Sequence, residues 1–297
     1  MILGRLRERQ DNGSLTGALV KSGFVVVKAG KLVLALASFA AYAFLFTWQF
    51  AVIILGMLII HEGGHLRCMK HYGMKTRGIY LIPLLGAAAV AEDNFPSRRA
   101  EATIALAGPL TGAVLAAGTG LLYFVTRNGA FAAAAAWMAL INLFNLLPVV
   151  PLDGGRVMKS ITCSIGSRTG LAAIIAGMLL GAVLAFTADL WIFVILIPLG
   201  LLDYLYDRHQ VTQAPRRARR RAGRHARTPE AWTAPAAGAS DDEQTGARIP
   251  AGKPPLSPRA AQAAFACYAG LAILLWLFML AMGHQPGAVA AMHALQG

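Results

Sequence analysis

Ile59-Ile60-His61-Glu62-Gly63-Gly64-His65-Leu66 closes a run that is apolar from Phe50 onward. On a helix, His61 and His65 lie one turn apart on one face, so both imidazoles can bind a single Zn²⁺. Glu62 lies beside that face, where it can take a proton from a metal-bound water. The setting sharpens this H-E-x-x-H pattern. A charged side chain inside a membrane span costs roughly 2.5–3.5 kcal/mol on insertion scales, and such a residue marks function by default. The plainer alternative is a helix end with two interfacial histidines and a snorkelling glutamate.

The composition agrees with a membrane setting. The chain has 297 residues, a mean hydropathy of +0.56 and 14% charged residues, whereas soluble domains carry about a quarter. The net charge of +13 could point to nucleic acid, but 11 of the 27 basic residues fall between Asp207 and Ala260 and most others flank apolar spans. That pattern fits positive-inside topology and anionic lipid rather than base reading. Cys68, Cys163 and Cys267 have no C-x-x-C spacing, so neither a disulfide framework nor a thiolate zinc site is indicated. The basic N-terminus shows no cleavable signal.

The expected architecture is an all-α polytopic membrane protein of about six to seven transmembrane helices, with a short re-entrant hairpin or small sheet near the site. Residues 1–206 form the core, with spans at about 32–48, 50–66, 102–125, 131–147, 171–187 and 190–206. Trp48 suits an interface belt at the end of the first. Residues 207–262 read as a basic, disordered cytosolic linker, and residues 263–283 as a last span. Ile79–Val90 is apolar but too short to cross, and Pro83 and Gly86 interrupt it. A re-entrant loop or hairpin fits, covered by protein or a water-filled cavity; a loop lying on the bilayer is the alternative. In the third span, Gly108, Gly112, Ala116 and Gly120 make a smooth face for close helix contact.

Assigning basic flanks to the cytosol gives a consistent path with the N-terminus and linker inside; only Arg127 is basic in an external loop. His61 then lies roughly 9 Å along a helix axis from Arg67, near the cytosolic end of its span. Asp153 falls just past the cytosolic end of the fourth span, in the same leaflet. It can be the third zinc ligand, leaving the fourth position to water; a plain turn aspartate is the alternative. Glu92 or Asp93, nearer in sequence, is the rival third ligand. His71 points off the His65 face, and His209, His225, His284 and His293 lie in linkers or tails.

At this point the chain resembles the site-2 protease family of intramembrane zinc metalloproteases. His61-Glu62-Gly63-Gly64-His65 matches its HExxH motif, and the run Asn145-Leu146-Leu147-Pro148-Val149-Val150-Pro151-Leu152-Asp153-Gly154-Gly155 matches its N-x-x-P-x-x-x-x-D-G motif. Ala107-Gly108-Pro109 matches the Gly-Pro of the intervening span. The likeness covers roughly residues 23–160. It implies one Zn²⁺ held by His61, His65 and Asp153, with Glu62 as general base and acid. It implies that Asn145 contacts substrate backbone or the developing oxyanion. The expected member is of the minimal, core-only type, without a PDZ insertion or a cystathionine-synthase module. The implied substrate is a single-pass membrane protein cut near the cytosolic leaflet of a cell membrane, a bacterial inner membrane in the usual context. Release of a membrane-held transcription regulator is one implied outcome and clearance of signal-peptide remnants another. Two other readings compete: a non-enzymatic membrane scaffold or ion handler, and a prenyl-protein type of HExxH peptidase. The intact Glu62 argues against the first, and the NLLPVVPLDGG run against the second.

Overall fold

The computed structural model describes residues 29–187, 194–202, 205 and 253–296. Phe24–Val27, whose β-branched run reads as an interfacial strand or the start of a span, lies outside the described residues, as does the linker up to residue 252. The elements are α1 (Ala29–Leu45), α2 (Trp48–His71), β1 (Thr76–Ile82), β2 (Gly86–Ala91), α3 (Arg98–Thr126), α4 (Gly129–Asn145), α5 (Asp153–Ile165), α6 (Ser167–Thr187), α7 (194–202), α8 (Pro258–Gly283) and α9 (Ala288–Gln296). The fold is mostly helical. Among the described residues, three helices, α2, α3 and α8, are long and apolar enough to cross a membrane; Ala29–Leu45, Gly129–Asn145 and Arg168–Val183 are apolar but shorter. Trp48 opens α2 rather than closing the preceding span, because Thr47 caps the helix there: its hydroxyl accepts from the Phe50 N–H at 3.2 Å. The same hydroxyl donates to the Leu295 carbonyl at 2.7 Å, which ties α9 to the start of α2.

The chain divides into two compact units. The first takes the described residues up to Glu92 with Leu110–Asn142 and Leu275 onward. Its core gathers Phe50, Ile54, Leu55, Met57 and Leu58 of α2 with Leu81, Ala116 and Met138, and Trp137 stands edge-on to Phe50 at 5.2 Å. The stretch expected to be re-entrant is an antiparallel ribbon, with Ile79 opposite Ala89 and Ile82 opposite Gly86. Pro83 and Gly86, which interrupt the apolar run, make its turn. Pro83 follows Ile82, whose carbonyl accepts from Leu85 N at 3.1 Å; Leu84 and Gly86 take φ of 64° and 96°. Lys31 of α1 holds the other end of β1. Its ammonium donates to the Arg77 carbonyl at 2.6 Å and lies 4.4 Å from the centre of the Tyr80 ring.

The second unit comprises Asp93–Pro109 and the described residues of Leu143–Leu274. Helix stops at Asn145 and restarts at Asp153, the interval that carries Pro148 and Pro151. The intervening backbone is packed from several sides at glycines. A Cβ on Gly154 would lie 2.1 Å from the Leu146 carbonyl oxygen, and one on Gly155 would lie 2.3 Å from the Val149 carbonyl carbon. Gly177 of α6 and Gly200 of α7 approach the Pro148 and Val150 carbonyls just as closely. Tyr268 of α8 donates its hydroxyl to the Leu146 carbonyl at 2.7 Å. Deeper in the unit, Glu101 is buried and takes Lys159 at 3.3 Å, Arg98 at 2.9 Å and Lys253 at 3.0 Å. Helices α5 and α9 lie where no helix was expected. Helix α8 begins at Pro258, five residues before the expected start.

The contact that seats α5 is between backbones, which cannot swing aside as a side-chain tip does. Gly155→Ala is therefore expected to destabilise the fold by about 2–3 kcal/mol, read as a lower thermal midpoint in detergent. Gly63→Ala, where nothing lies within 4 Å of the added carbon, serves as the control with an unchanged or raised midpoint. Equal midpoints for the two variants would overturn the packing argument.

Candidate metal centre

Helix α2 brings His61, Glu62 and His65 into the interior at relative exposures of 1%, 8% and 6%. Polar groups so placed must be hydrogen-bonded, charged-paired or bound to a metal. The two histidine side chains converge. His61 Nε2 and His65 Nε2 are 3.1 Å apart, with ring centres 4.9 Å apart and planes at 73°. A tetrahedral Zn²⁺ with bonds of about 2.0–2.1 Å sets two ligand nitrogens about 3.3–3.4 Å apart. The pair thus fits two corners of such a site with a shift of a few tenths of an ångström.

Glu62 and His61 are each oriented by a neighbour within the same unit. Glu62 Oε2 accepts from the Ala89 N–H of β2 at 2.6 Å. Ala89 stands opposite Ile79 in the ribbon, and it turns this N–H outward, to α2 instead of to β1. His61 Nδ1 lies 3.0 Å from Asn142 Oδ1 of α4, and the Asn142 amide donates to the Met138 carbonyl at 2.7 Å. Asn142 is fully buried. Room for it exists because Gly112 of α3 has no side chain: a Cβ there would lie 2.2 Å from Asn142 Oδ1.

Asp153 is the first residue of α5 and is half-buried. The expected donors are two nitrogens, from His61 and His65, and one oxygen, from Asp153, a set that zinc accepts. The rival Glu92 is engaged elsewhere. It is exposed, and it meets Arg77 at 3.3 Å at the open end of the ribbon, where its N–H also donates to the Lys75 carbonyl. Asp93 is exposed too. Asn145, singled out in the sequence, is the half-buried last residue of α4; Asn142, one turn earlier, is the asparagine that meets His61. A lone amide in Ala139-Leu140-Ile141-Asn142-Leu143-Phe144 was the signal available. Ala89 and Gly112 carried none, since one acts through its backbone and the other through an absence. His71 stacks edge-on against Tyr72, and His284 Nδ1 bonds the Leu280 carbonyl, both away from the pair.

Residues 49–129 match the model of peptidase family M50. The chain is 34% identical over 124 residues to the zinc metalloprotease MJ0392 of Methanocaldococcus jannaschii, covering 38% of this chain and 34% of that one. It is 32% identical over 162 residues to the Rip3 protein of Mycobacterium tuberculosis, covering 45% and 41%. It is 25% identical over 170 residues to the stage IV sporulation protein FB of Bacillus subtilis, covering 53% and 59%. In each case the match spans less than two thirds of the relative's own length.

The two imidazoles converge, whereas the Glu62 carboxylate is turned to the Ala89 N–H. His61→Ala or His65→Ala is expected to abolish stoichiometric metal in the purified protein, whereas Glu62→Gln should retain it. Metal per chain by elemental analysis decides this. Full retention in either histidine variant would remove them as ligands.

Proposed function

We propose that this chain, which carries the core of peptidase family M50 at residues 49–129, is a multi-pass membrane zinc endopeptidase. Its substrates on this reading are single-pass membrane proteins, cut in or near their spans on the cytosolic side. The observation that carries it is the convergence of the His61 and His65 Nε2 atoms with the Glu62 carboxylate beside them on one buried helix. A membrane setting for six or seven spans is supported by the apolar length of α2, α3 and α8 and by the faces they expose, such as Ile273, Leu274, Trp276 and Leu277 of α8.

His61, His65 and Asp153 would hold the zinc. A zinc ion bound there would polarise the scissile carbonyl and lower the pKa of water toward about 7. Glu62 accepts the proton of the attacking water and returns it to the leaving amine. The Ala89 N–H holds its carboxylate at one place on the helix surface, so the base arrives with its orientation already set. Asn145 is assigned to the substrate backbone or the developing oxyanion, on family likeness. A substrate span must unwind locally before its amide is accessible. The ribbon supports a way to receive it, since a sheet of two strands can take an extended peptide as a further strand. Between a peptidase and a metal or ion carrier, Glu62 discriminates, because a carrier needs ligands but no base beside them.

Glu62→Gln is expected to lower peptide hydrolysis by about 10²–10⁴-fold. Comparing the membrane proteomes of wild-type and Glu62→Gln cells should reveal single-pass proteins that accumulate uncut in the variant. Identical proteomes, with metal transport altered instead, would favour the carrier.

A further inference from the structure

We infer that Asn142, in the notch left by Gly112, is the positioning residue that selects which nitrogen of His61 faces the metal. The inference rests on the zinc reading given above. It follows from the direction of three hydrogen bonds in turn. The Met138 carbonyl can only accept, so the Asn142 atom 2.7 Å from it must be the NH₂ end. Oδ1 therefore faces His61, and an amide oxygen can only accept. His61 Nδ1, 3.0 Å away, must then carry the proton. A neutral imidazole with its proton on Nδ1 has its lone pair on Nε2, the atom that faces His65 Nε2. A backbone carbonyl of α4 thus fixes the tautomer of a ligand on α2, with Asn142 as the relay.

The notch makes this arrangement rigid. Asn142 has no exposed surface, and both ends of its amide are committed. A Cβ at position 112 would lie 2.2 Å from Oδ1, 2.5 Å from Nδ2 and 2.7 Å from Cγ. These distances are too short to be absorbed without moving the amide. Gly112→Ala is therefore expected to act on His61 through Asn142, whose amide atoms are the three nearest to the added carbon. Partners that hold a ligating histidine through its other nitrogen typically matter by about 10–100-fold in metal affinity.

The test uses the full chain purified in detergent, with Zn²⁺ affinity read by competition with a chelator and site geometry by the visible spectrum of the Co²⁺-loaded protein. Asn142→Leu keeps the bulk and removes the acceptor; Asn142→Ala opens the notch. Both, and Gly112→Ala, are expected to weaken Zn²⁺ binding by about 10–100-fold and to alter the Co²⁺ spectrum. The double variant Gly112→Ala with Asn142→Ala should bind Zn²⁺ like Asn142→Ala alone, because the added methyl then meets no amide. Wild-type affinity and an unaltered Co²⁺ spectrum in Asn142→Leu would overturn the inference, as would a further loss from Gly112→Ala in the Asn142→Ala background. Failure of the wild-type chain itself to bind Zn²⁺ would instead overturn the zinc reading and this inference with it.

Discussion

Two imidazoles and a carboxylate on successive turns of α2 are withdrawn from water, and every polar atom so withdrawn must be satisfied. Much of the surrounding structure answers that demand. The ribbon supplies an N–H to Glu62, α4 supplies an amide to His61, and α3 gives up a side chain at position 112 so that the amide can fit. None of these contributions is large in surface area. Each is directional, and low polarity in the surroundings makes a directed hydrogen bond stronger and an unmade one more costly.

The second unit solves a different problem by a similar economy of side chains. Asp153 follows a proline-broken loop that would otherwise have many conformations. Four glycines let neighbouring backbones close on that loop until it has little room to move, and Tyr268 bonds its first carbonyl. The buried Glu101 joins Arg98, Lys159 of α5 and Lys253 of the segment that leads into α8. Breaking such a cluster costs more than its formation contributes, because each charge left behind would be buried. It therefore acts to hold the start of α3 and the body of α5 in one arrangement.

What could be read from the amino acids alone follows the reach of each signal. Apolar runs mark helix and the H-E-x-x-H spacing puts the paired imidazoles on one face, because helical periodicity is local. The interruption at Pro83 and Gly86 marked the ribbon's turn, but not its register, which depends on pairing across space. Helix α5 was missed because Asp153-Gly154-Gly155 reads as a turn by composition; its start is held by carbonyls of the preceding loop instead. The motif singles out Asn145, whereas Asn142 is the one that meets His61. What distinguishes the latter is burial against His61, and no spacing along the chain records that.

A ribbon of two strands is marginal when left to itself. This one packs Leu81 and Ala87 with the core of α2, and the Lys31 ammonium bonds the Arg77 carbonyl of β1. Glu62 in turn leans on the ribbon. The order of the carboxylate is thus borrowed at second hand from a lysine on a separate helix, at a surface position with no chemistry of its own. Harm to that distant prop would be felt as a loosening of the strands, and only then as a base that has lost its aim.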